Sequence, residues 1–263
     1  MGQRTTHYSI NPNQLRTLKL LYKFRYITIP LLTEYKNLTA KTTIMRNLDI
    51  LVEQGYITKQ HDASYRINHK PALYYLSNKG ASHLRKASNF NPQVLHSYYK
   101  NSSLSDEFKQ HSLYTVATYN TLHGLYGDSY DMFTSNELAG MSDFPKKKPD
   151  IYIRSNKTSQ EYFLSLVHDV PQFIVRKQFT SYVDHSEDEG WPGGVYPTLL
   201  YVLKSSSDEN KFIHYAKSVL ENAGISQDEL CIASTTTQPL LTKPYNRNVW
   251  RFMKNSRILS ELI

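Results

Sequence analysis

The first ninety residues begin with apolar side chains at helical spacing. In the stretch NQLRTLKLLYKF, which starts at Asn13, the leucines recur at intervals typical of an amphipathic helix. We expect Asn13 to cap this helix, because its side-chain oxygen can accept a hydrogen bond from a free backbone N–H. A second, short helix is predicted over IPLLTEYKN, with Thr28 as its cap and Pro30 in its first turn.

A third helix is predicted over LTAKTTIMRNLDILVEQG. Ile44, Leu48, Leu51 and Val52 fall on one face at i, i+4, i+7 and i+8, so this face should lie in the core. Gly55 follows at the position where a residue in the left-handed conformation often ends a helix.

After Gly55 the apolar positions alternate with polar ones. Residues 56–60 and 72–76 are therefore predicted to be strands, and the polar, basic segment HDASYRINHKP between them a loop. Ser77 then opens another helix that continues through Leu84. The predicted order is helix, helix, helix, strand, loop, strand, helix.

This order, with the phrase LVEQGYITKQ…ALYYLSNKG, resembles a winged helix-turn-helix of the multiple-antibiotic-resistance-regulator type over roughly residues 12–88. The resemblance implies that the third helix enters the major groove and that the wing follows the adjacent backbone. The predicted DNA-binding residues are Thr39, Lys41, Thr42, Thr43, Arg46 and Asn47 at the third helix, and Arg66, His69 and Lys70 on the wing.

These side chains suit contacts with duplex DNA. At about 100° per residue, Thr42 and Arg46 lie opposite the apolar face of the third helix. Arg46 can make a bidentate contact with guanine, and threonine hydroxyls can meet bases or phosphates. Lys41 lies near the helix N-terminus, where backbone N–H groups also favour a phosphate. The alternative is a winged helix that contacts protein instead.

Residues 91–128 are predicted to connect two domains. A helix capped by Ser103 or Ser105 should run to about Leu125, with Phe108 among its apolar positions. We expect His111 on this helix to be a hydrogen-bonded core residue rather than a ligand. A homodimer is also expected, because winged-helix proteins usually bind two half-sites related by a two-fold axis.

From residue 129 strands and helices alternate. Strands are predicted over 130–133, 162–167, 199–203 and 230–234, with a further strand that ends at Ile153. Helices are predicted over 172–183, before a polar loop at 185–194, and from a Ser207-Asp208 cap to Leu220, with Gly224 after it. With the preceding helix, the order is α-β-β-β-α-β-α-β. The adjacent residues His168 and Asp169 are not expected to face each other.

That order resembles the PD-(D/E)xK nuclease fold, and Pro149-Asp150 stands at the position of the first acid of its motif. Metal-dependent cleavage needs a second acid and a lysine on the next strand, to hold the metal and to activate water. Ser165 and Val167 stand there instead. We therefore expect no catalytic residue, no cofactor and no metal site, with Asp150 as the single candidate ligand, although a metal-dependent nuclease is kept as an alternative.

The chain as a whole resembles the replication-relaxation family of plasmids and other mobile elements. The resemblance rests on the winged helix, on QHSLYTVATYNTL with His111, on KPDIYI, on a strand that ends near His168, and on RKQFTSY. It implies a DNA-binding protein that acts as an accessory in replication initiation or in conjugative DNA processing, with a replication or transfer enzyme as a possible partner.

Charge divides the chain in the same way. Residues 1–90 hold 14 Lys and Arg against four Asp and Glu, whereas residues 91–263 hold 17 against 19. A basic first domain is typical of proteins that bind a polyanion.

Cys231 is the only cysteine, which excludes a disulfide within the chain and a cysteine-rich zinc site. No apolar run approaches the length of a membrane span, and we expect a cytoplasmic protein without a secretory signal.

The predicted fold class is α/β (α+β overall): a winged helix-turn-helix over 1–90 and a nuclease-like mixed-sheet domain over 129–263. The predicted function is sequence-specific binding of double-stranded DNA, without enzymatic activity and without a membrane partner. A transcriptional repressor whose second domain senses a ligand is the other alternative.

Overall fold

The computed structural model describes residues 10–87, 89–187, 191–245 and 249–253, and the backbone of 188, 258 and 259. The chain divides into two compact units, Met1–Leu104 and Ser105–Ile263. The predicted connecting segment 91–128 is thus split between the units. No helix among the described residues is long and apolar enough to cross a membrane.

The first unit is a winged helix. Its sheet is antiparallel, in the order β1-β3-β2, so that the wing strands β2 and β3 pair with each other and β1 pairs with β3. The elements are α1 (Pro12–Phe24), β1 (Tyr26–Thr28), α2 (Ile29–Tyr35), α3 (Thr42–Glu53), β2 (Ile57–Gln60), α4 (Ala63–Ile67), β3 (Leu73–Leu76), α5 (Asn78–Arg85), α6 (Pro92–Ser97) and a 3-10 helix (Tyr98–Ser103).

The caps of the first two helices differ from prediction. Asn11, not Asn13, caps α1: its side chain accepts from Gln14 N at 2.9 Å, and the Gln14 side chain accepts from Asn11 N at 3.0 Å. This reciprocal pair satisfies two free donors, which favours a start two residues earlier. Thr28 precedes α2 but makes no side-chain capping bond, whereas Pro30 lies in the first turn as predicted.

The apolar face of α3 is buried as predicted, except at Val52, which is partly exposed. Ile44, Leu48 and Leu51 are each at most 2% exposed. Gly55 has a φ of 73°, a conformation that a residue with a Cβ adopts only at a cost, and Gly55 N donates to Val52 O at 2.9 Å. The helix is therefore fixed along one side and at its end, and its other side is left exposed.

Four elements of the first unit were not predicted: β1, α4, α6 and the 3-10 helix (Tyr98–Ser103). β1 has only three residues, all buried, which is too short for a recognisable alternation. Within the predicted loop 61–71, α4 forms a single helical turn because Asp62 accepts from Tyr65 N at 3.1 Å. The prediction of a loop was wrong for Ala63–Ile67, since capping by one carboxylate is enough to close such a turn.

Residues after 90 pack on the first unit. The Tyr98 hydroxyl donates to Tyr22 O at 2.6 Å, and Arg25 donates to Ser97 O at 3.0 Å and to Asn101 Oδ1 at 2.8 Å. The predicted boundary at 90 was therefore too early, because polar side chains fasten α6 and the 3-10 helix to α1 and its following turn.

The second unit is built on one mixed sheet in the order β10-β9-β8-β7-β6-β5-β4. Strands β4, β5 and β6 are antiparallel, β6, β7 and β8 are parallel, and β8, β9 and β10 are antiparallel. The elements are α7 (Asp106–Tyr126), a 3-10 helix (Gly127–Ser129), β4 (Tyr130–Thr134), β5 (Ile151–Ser155), β6 (Glu161–Leu166), α8 (Gln172–Asp188), β7 (Thr198–Leu203), α9 (Ser206–Ala223), β8 (Ile232–Thr236), α10 (Thr237–Leu241), β9 (Trp250–Phe252) and β10 (Ile258–Leu259). The mixed α/β class is confirmed, and α7 to β8 follow the predicted order.

Helix ends account for most differences in this unit. Ser105 caps α7, which settles the choice between Ser103 and Ser105, while Phe108 is 39% exposed rather than buried. Ser205, not Ser207-Asp208, caps α9, because Ser205 Oγ accepts from Asp208 N at 3.2 Å. Helix α8 runs on to Asp188, into the segment predicted to be a loop. The elements α10, β9 and β10 were not predicted.

Candidate functional site

The outward side of α3 carries most of the predicted DNA-binding residues. Thr42, Thr43 and Arg46 are exposed on the helix, and Thr39 and Lys41 are exposed just before it. Asn47 is half-buried, since it lies at the margin of the buried face. The structure therefore places these side chains on one accessible surface, which we call the α3 surface (residues 39–46).

Charge on α3 changes sign along its length. Lys41 is the N-cap residue of α3, and its side chain makes no capping hydrogen bond. Arg46 lies one turn further on, and the exposed acids Asp49 and Glu53 follow on the same side. Since the positive end of the helix dipole adds to Lys41 and Arg46, only the N-terminal half of α3 favours an anion.

Two exposed apolar side chains, Met45 on the α3 surface and Leu38 just before it, were missed by sequence reasoning. Leu38 is 45% exposed and Met45 is 46% exposed. Met45 directly follows the buried Ile44, so helical spacing places it outside the buried face of α3. This spacing was the signal in the sequence that could have predicted its exposure. Such side chains can contact the methyl group of thymine in the major groove.

The wing presents the remaining predicted DNA-binding residues. Arg66 lies on α4, and His69 and Lys70 follow it; all three are exposed. His69 has a φ of 51°, so the chain turns sharply back toward β3 after the helix. None of these three side chains has a hydrogen-bond or ion-pair partner among the residues that the structure describes.

A second candidate site lies in the other unit, at the end of the sheet where β5 begins and β6 ends. We call this end of the strands the sheet edge; it carries His111, Asp150, His168, Asp169 and Lys204. Asp150 precedes β5, and its two oxygens face different donors. His111 Nε2 lies 2.7 Å from Asp150 Oδ1, and Leu166 N donates to Asp150 Oδ2 at 2.7 Å. The charge of Asp150 raises the pKa of His111, while burial and Lys147 oppose that change. His111 is thus hydrogen-bonded, as predicted, but with 29% of its side chain exposed it is not a core residue.

The residues around Asp150 do not fit a nuclease metal centre. Ser165, which is fully buried, accepts from Gln178 Nε2 at 3.2 Å, and Gln178 Nε2 also donates to the Tyr182 hydroxyl at 2.8 Å. Val167 stands where a lysine would be needed. A divalent cation prefers several oxygen ligands, preferably carboxylates, and no group of three His, Cys, Asp or Glu capable of holding one occurs among the described residues.

Glu161 does not supply the second acid of such a metal centre either. It begins β6, whereas Asp150 bonds to the last residue of that strand. At about 3.3 Å per residue the two carboxylates lie near opposite ends of the strand. Glu161 instead accepts hydrogen bonds from the Tyr152 hydroxyl and from Trp191 Nε1, which fixes it within the sheet.

The carboxyl ends of the parallel strands bring further polar side chains together. After β6, His168 Nε2 lies 3.2 Å from Asp169 Oδ2, and the His168 ring packs on Tyr114 with centroids 4.3 Å apart. After β7, Lys204 pairs with the other oxygen of Asp169. The expectation that His168 and Asp169 do not face each other was wrong, because Asp169 has left the strand and its φ of 55° turns the chain back.

Comparison of the chain with protein-family models, with curated proteins and with solved structures finds no match. The resemblance to the replication-relaxation family therefore stays a prediction from the motifs that suggested it. Function has to be inferred from the chemistry of the α3 surface, the wing and the sheet edge.

Proposed function

We propose that this protein binds double-stranded DNA sequence-specifically through α3 and the wing. One observation carries the proposal: α3 buries Ile44, Leu48 and Leu51 and turns Arg46 and the threonines at 42 and 43 to solvent. Burial on one side holds the helix in place, so the exposed side can act as a rigid reading surface. A helix of this kind fits the major groove of B-form DNA.

The roles of the individual side chains follow from their chemistry. Arg46 offers a planar pair of donors that matches the O6 and N7 acceptors of guanine. Lys41 and the first N–H groups of α3 favour a phosphate at the groove edge. Asp49 and Glu53 would repel phosphates, so the N-terminal half of α3 enters the groove and the C-terminal half points out of it.

Affinity for the backbone comes from the basic character of this part of the chain. Residues 1–90 carry ten more basic than acidic side chains, and Lys41, Arg46, Arg66 and Lys70 are exposed. Cations that displace counterions from phosphates supply most of the affinity of DNA-binding proteins and make it sensitive to salt. The wing cations therefore position the protein, and α3 selects the sequence.

In the cell, we propose an accessory role in replication initiation or conjugative DNA processing of a plasmid or other mobile element. The support is the resemblance of the motifs QHSLYTVATYNTL, KPDIYI and RKQFTSY to the replication-relaxation family. On this proposal the protein acts in the cytoplasm as a homodimer on two half-sites. A repressor would differ in responding to an effector that changes its affinity for its operator.

The second unit is proposed to have a nuclease-like architecture without cleavage activity. What supports this is that Ser165 and Val167 stand at the motif positions, and that both oxygens of Asp150 already accept hydrogen bonds or face a donor. Incubation with supercoiled plasmid and Mg²⁺ or Mn²⁺ should leave the plasmid intact. Nicking that Asp150→Ala abolishes would overturn this part of the proposal.

The DNA-binding proposal is tested first by selecting duplexes from a randomised library and then by measuring affinity for a selected and a scrambled duplex. Arg46→Ala should lose about 1–3 kcal/mol of binding free energy on the selected duplex and less on the scrambled one. Arg85→Ala, an exposed arginine on α5 outside the proposed interface, is the control with the same change of charge.

Two results would count against the proposal in different ways. Failure of the wild-type protein to enrich any duplex would remove sequence-specific binding altogether. An equal loss by Arg46→Ala on both duplexes would show that Arg46 touches the phosphate backbone and does not read bases.

A further inference from the structure

The wing displays a large apolar side chain on a folded tip. Ile67 is 76% exposed and is the last residue of α4. Asp62 accepts from Tyr65 N at 3.1 Å at the start of the turn, and Lys70 N donates to Tyr65 O at 2.8 Å after its end. These bonds hold the tip in one conformation, so Ile67 is presented by local structure.

Ile67 is flanked in sequence by two cations, Arg66 and Lys70, and by the imidazole of His69. Arg66, His69 and Lys70 are exposed and have no side-chain partner among the described residues. The nearby acid, Asp62, is used at the cap of α4, where it also accepts from Ser64 Oγ at 2.7 Å. An apolar tip within a cationic rim is complementary to a surface with apolar walls between two rows of negative charge.

The minor groove of duplex DNA has this character. Its floor and walls are formed by base edges and sugars, and phosphates line both sides. Proteins that insert an isoleucine, leucine or phenylalanine there separate two stacked base pairs and bend the duplex. A protein partner with an apolar pocket would leave the positive charges of Arg66 and Lys70 without opposite charges nearby unless acids surrounded that pocket.

We propose that Ile67 inserts into the minor groove of the bound duplex as an apolar wedge, while the surrounding cations hold the phosphates on either side. Insertion unstacks one base step and bends the DNA. This inference rests on the proposed function and adds a second contact to it, which distorts the duplex where α3 does not touch it. Sequence preference at that step then follows from how easily it unstacks.

The test uses the full chain and the selected duplex, with 2-aminopurine placed in turn at each step flanking the α3 site. Wild-type protein should raise 2-aminopurine fluorescence at one step, because unstacking relieves quenching. Ile67→Ala should abolish that increase. It should also weaken binding about tenfold, because alanine would bury only roughly half of the apolar area that isoleucine buries on insertion. Val195→Ala, at an aliphatic side chain that is 77% exposed in the other unit, is the control.

Ile67→Lys separates insertion from simple backbone contact. If the wing tip inserts, lysine should bind more weakly than wild type and give no fluorescence increase. If the tip lies against phosphates, the additional cation should tighten binding, and that result would overturn the inference. Unchanged affinity and fluorescence in Ile67→Ala would also overturn it, yet would leave DNA binding through α3 in place. Absence of binding by the wild-type protein would instead reject the proposed function itself.

Discussion

The cations of the α3 surface and wing differ from those of the sheet edge in whether an acid faces them. Lys41, Arg46 and Arg66 are exposed and have no side-chain partner among the described residues. In the second unit, His111 faces Asp150 and Lys204 faces Asp169. The same residue types therefore serve different purposes in the two units.

Whether a cation is paired with an acid decides how strongly it can attract a ligand outside the protein. A paired charge is largely neutralised within a few ångströms, and its contribution is to local structure. An unpaired exposed cation adds nothing to the fold but keeps its full field for a polyanion. The contrast predicts that variants in the second unit change stability and leave DNA affinity intact, and that variants on the α3 surface do the reverse.

The largest effect is expected for Asp150→Ala. Removal of the carboxylate leaves the N–H of Leu166 buried without an acceptor and takes the partner from His111, which should cost about 1–3 kcal/mol of unfolding free energy. Both tryptophans of the chain, Trp191 and Trp250, lie in the second unit, so urea unfolding followed by tryptophan fluorescence reports on that unit.

Asp150→Asn is the matched control for this variant. The amide keeps an oxygen that can accept from Leu166 N, so its loss of stability should be smaller than that of Asp150→Ala. Affinity for the selected duplex should stay unchanged in both. A loss of DNA affinity in a variant of normal stability would contradict the separation of roles between the units.

A smaller effect, measured in affinity, is expected from Lys41→Ala. Loss of one phosphate contact should lower the magnitude of the slope of log K against log salt concentration by about 0.9. Lys204→Ala removes the same charge at the sheet edge, where Asp169 already faces it, and should leave the slope unchanged. Equal changes in the two variants would show that pairing does not distinguish the two groups of cations.

The part of this picture that sequence could predict is the part governed by periodicity. Helix α3 repeats its apolar residues often enough for its buried face, and hence the exposed position of Arg46, to follow from spacing alone. Strands β6 and β7 are mostly apolar, and each is buried at every position after its first, which is typical of strands covered on both faces. Exposure of the candidate DNA contacts was therefore predictable.

What sequence could not predict depends on contacts between distant residues or on single hydrogen bonds. His111 and Asp150 are 39 positions apart and meet only because the start of β5 lies beside α7 in the folded unit. Helix α4 depends on one capping aspartate within a polar segment, so the exposed position of Ile67 could not be expected. The turn at Asp169 follows from a left-handed backbone that no pattern of apolar residues indicates.

The smallest effect is expected for His111→Gln, and its sign depends on pH. Asp150 raises the pKa of His111 above its ordinary value, so the protonated ring stabilises the folded state. That contribution is fully present below the ordinary histidine pKa of about 6.5 and is lost as pH rises through the raised pKa. Glutamine can still donate to Asp150 but carries no charge.

Wild type should therefore exceed His111→Gln in unfolding free energy by about 0.5–1 kcal/mol near pH 5.5, and this difference should shrink toward pH 8.5. A difference that is constant over this range would mean that the imidazole acts through its hydrogen bond alone, and the electrostatic pairing assigned to the sheet edge would then be wrong.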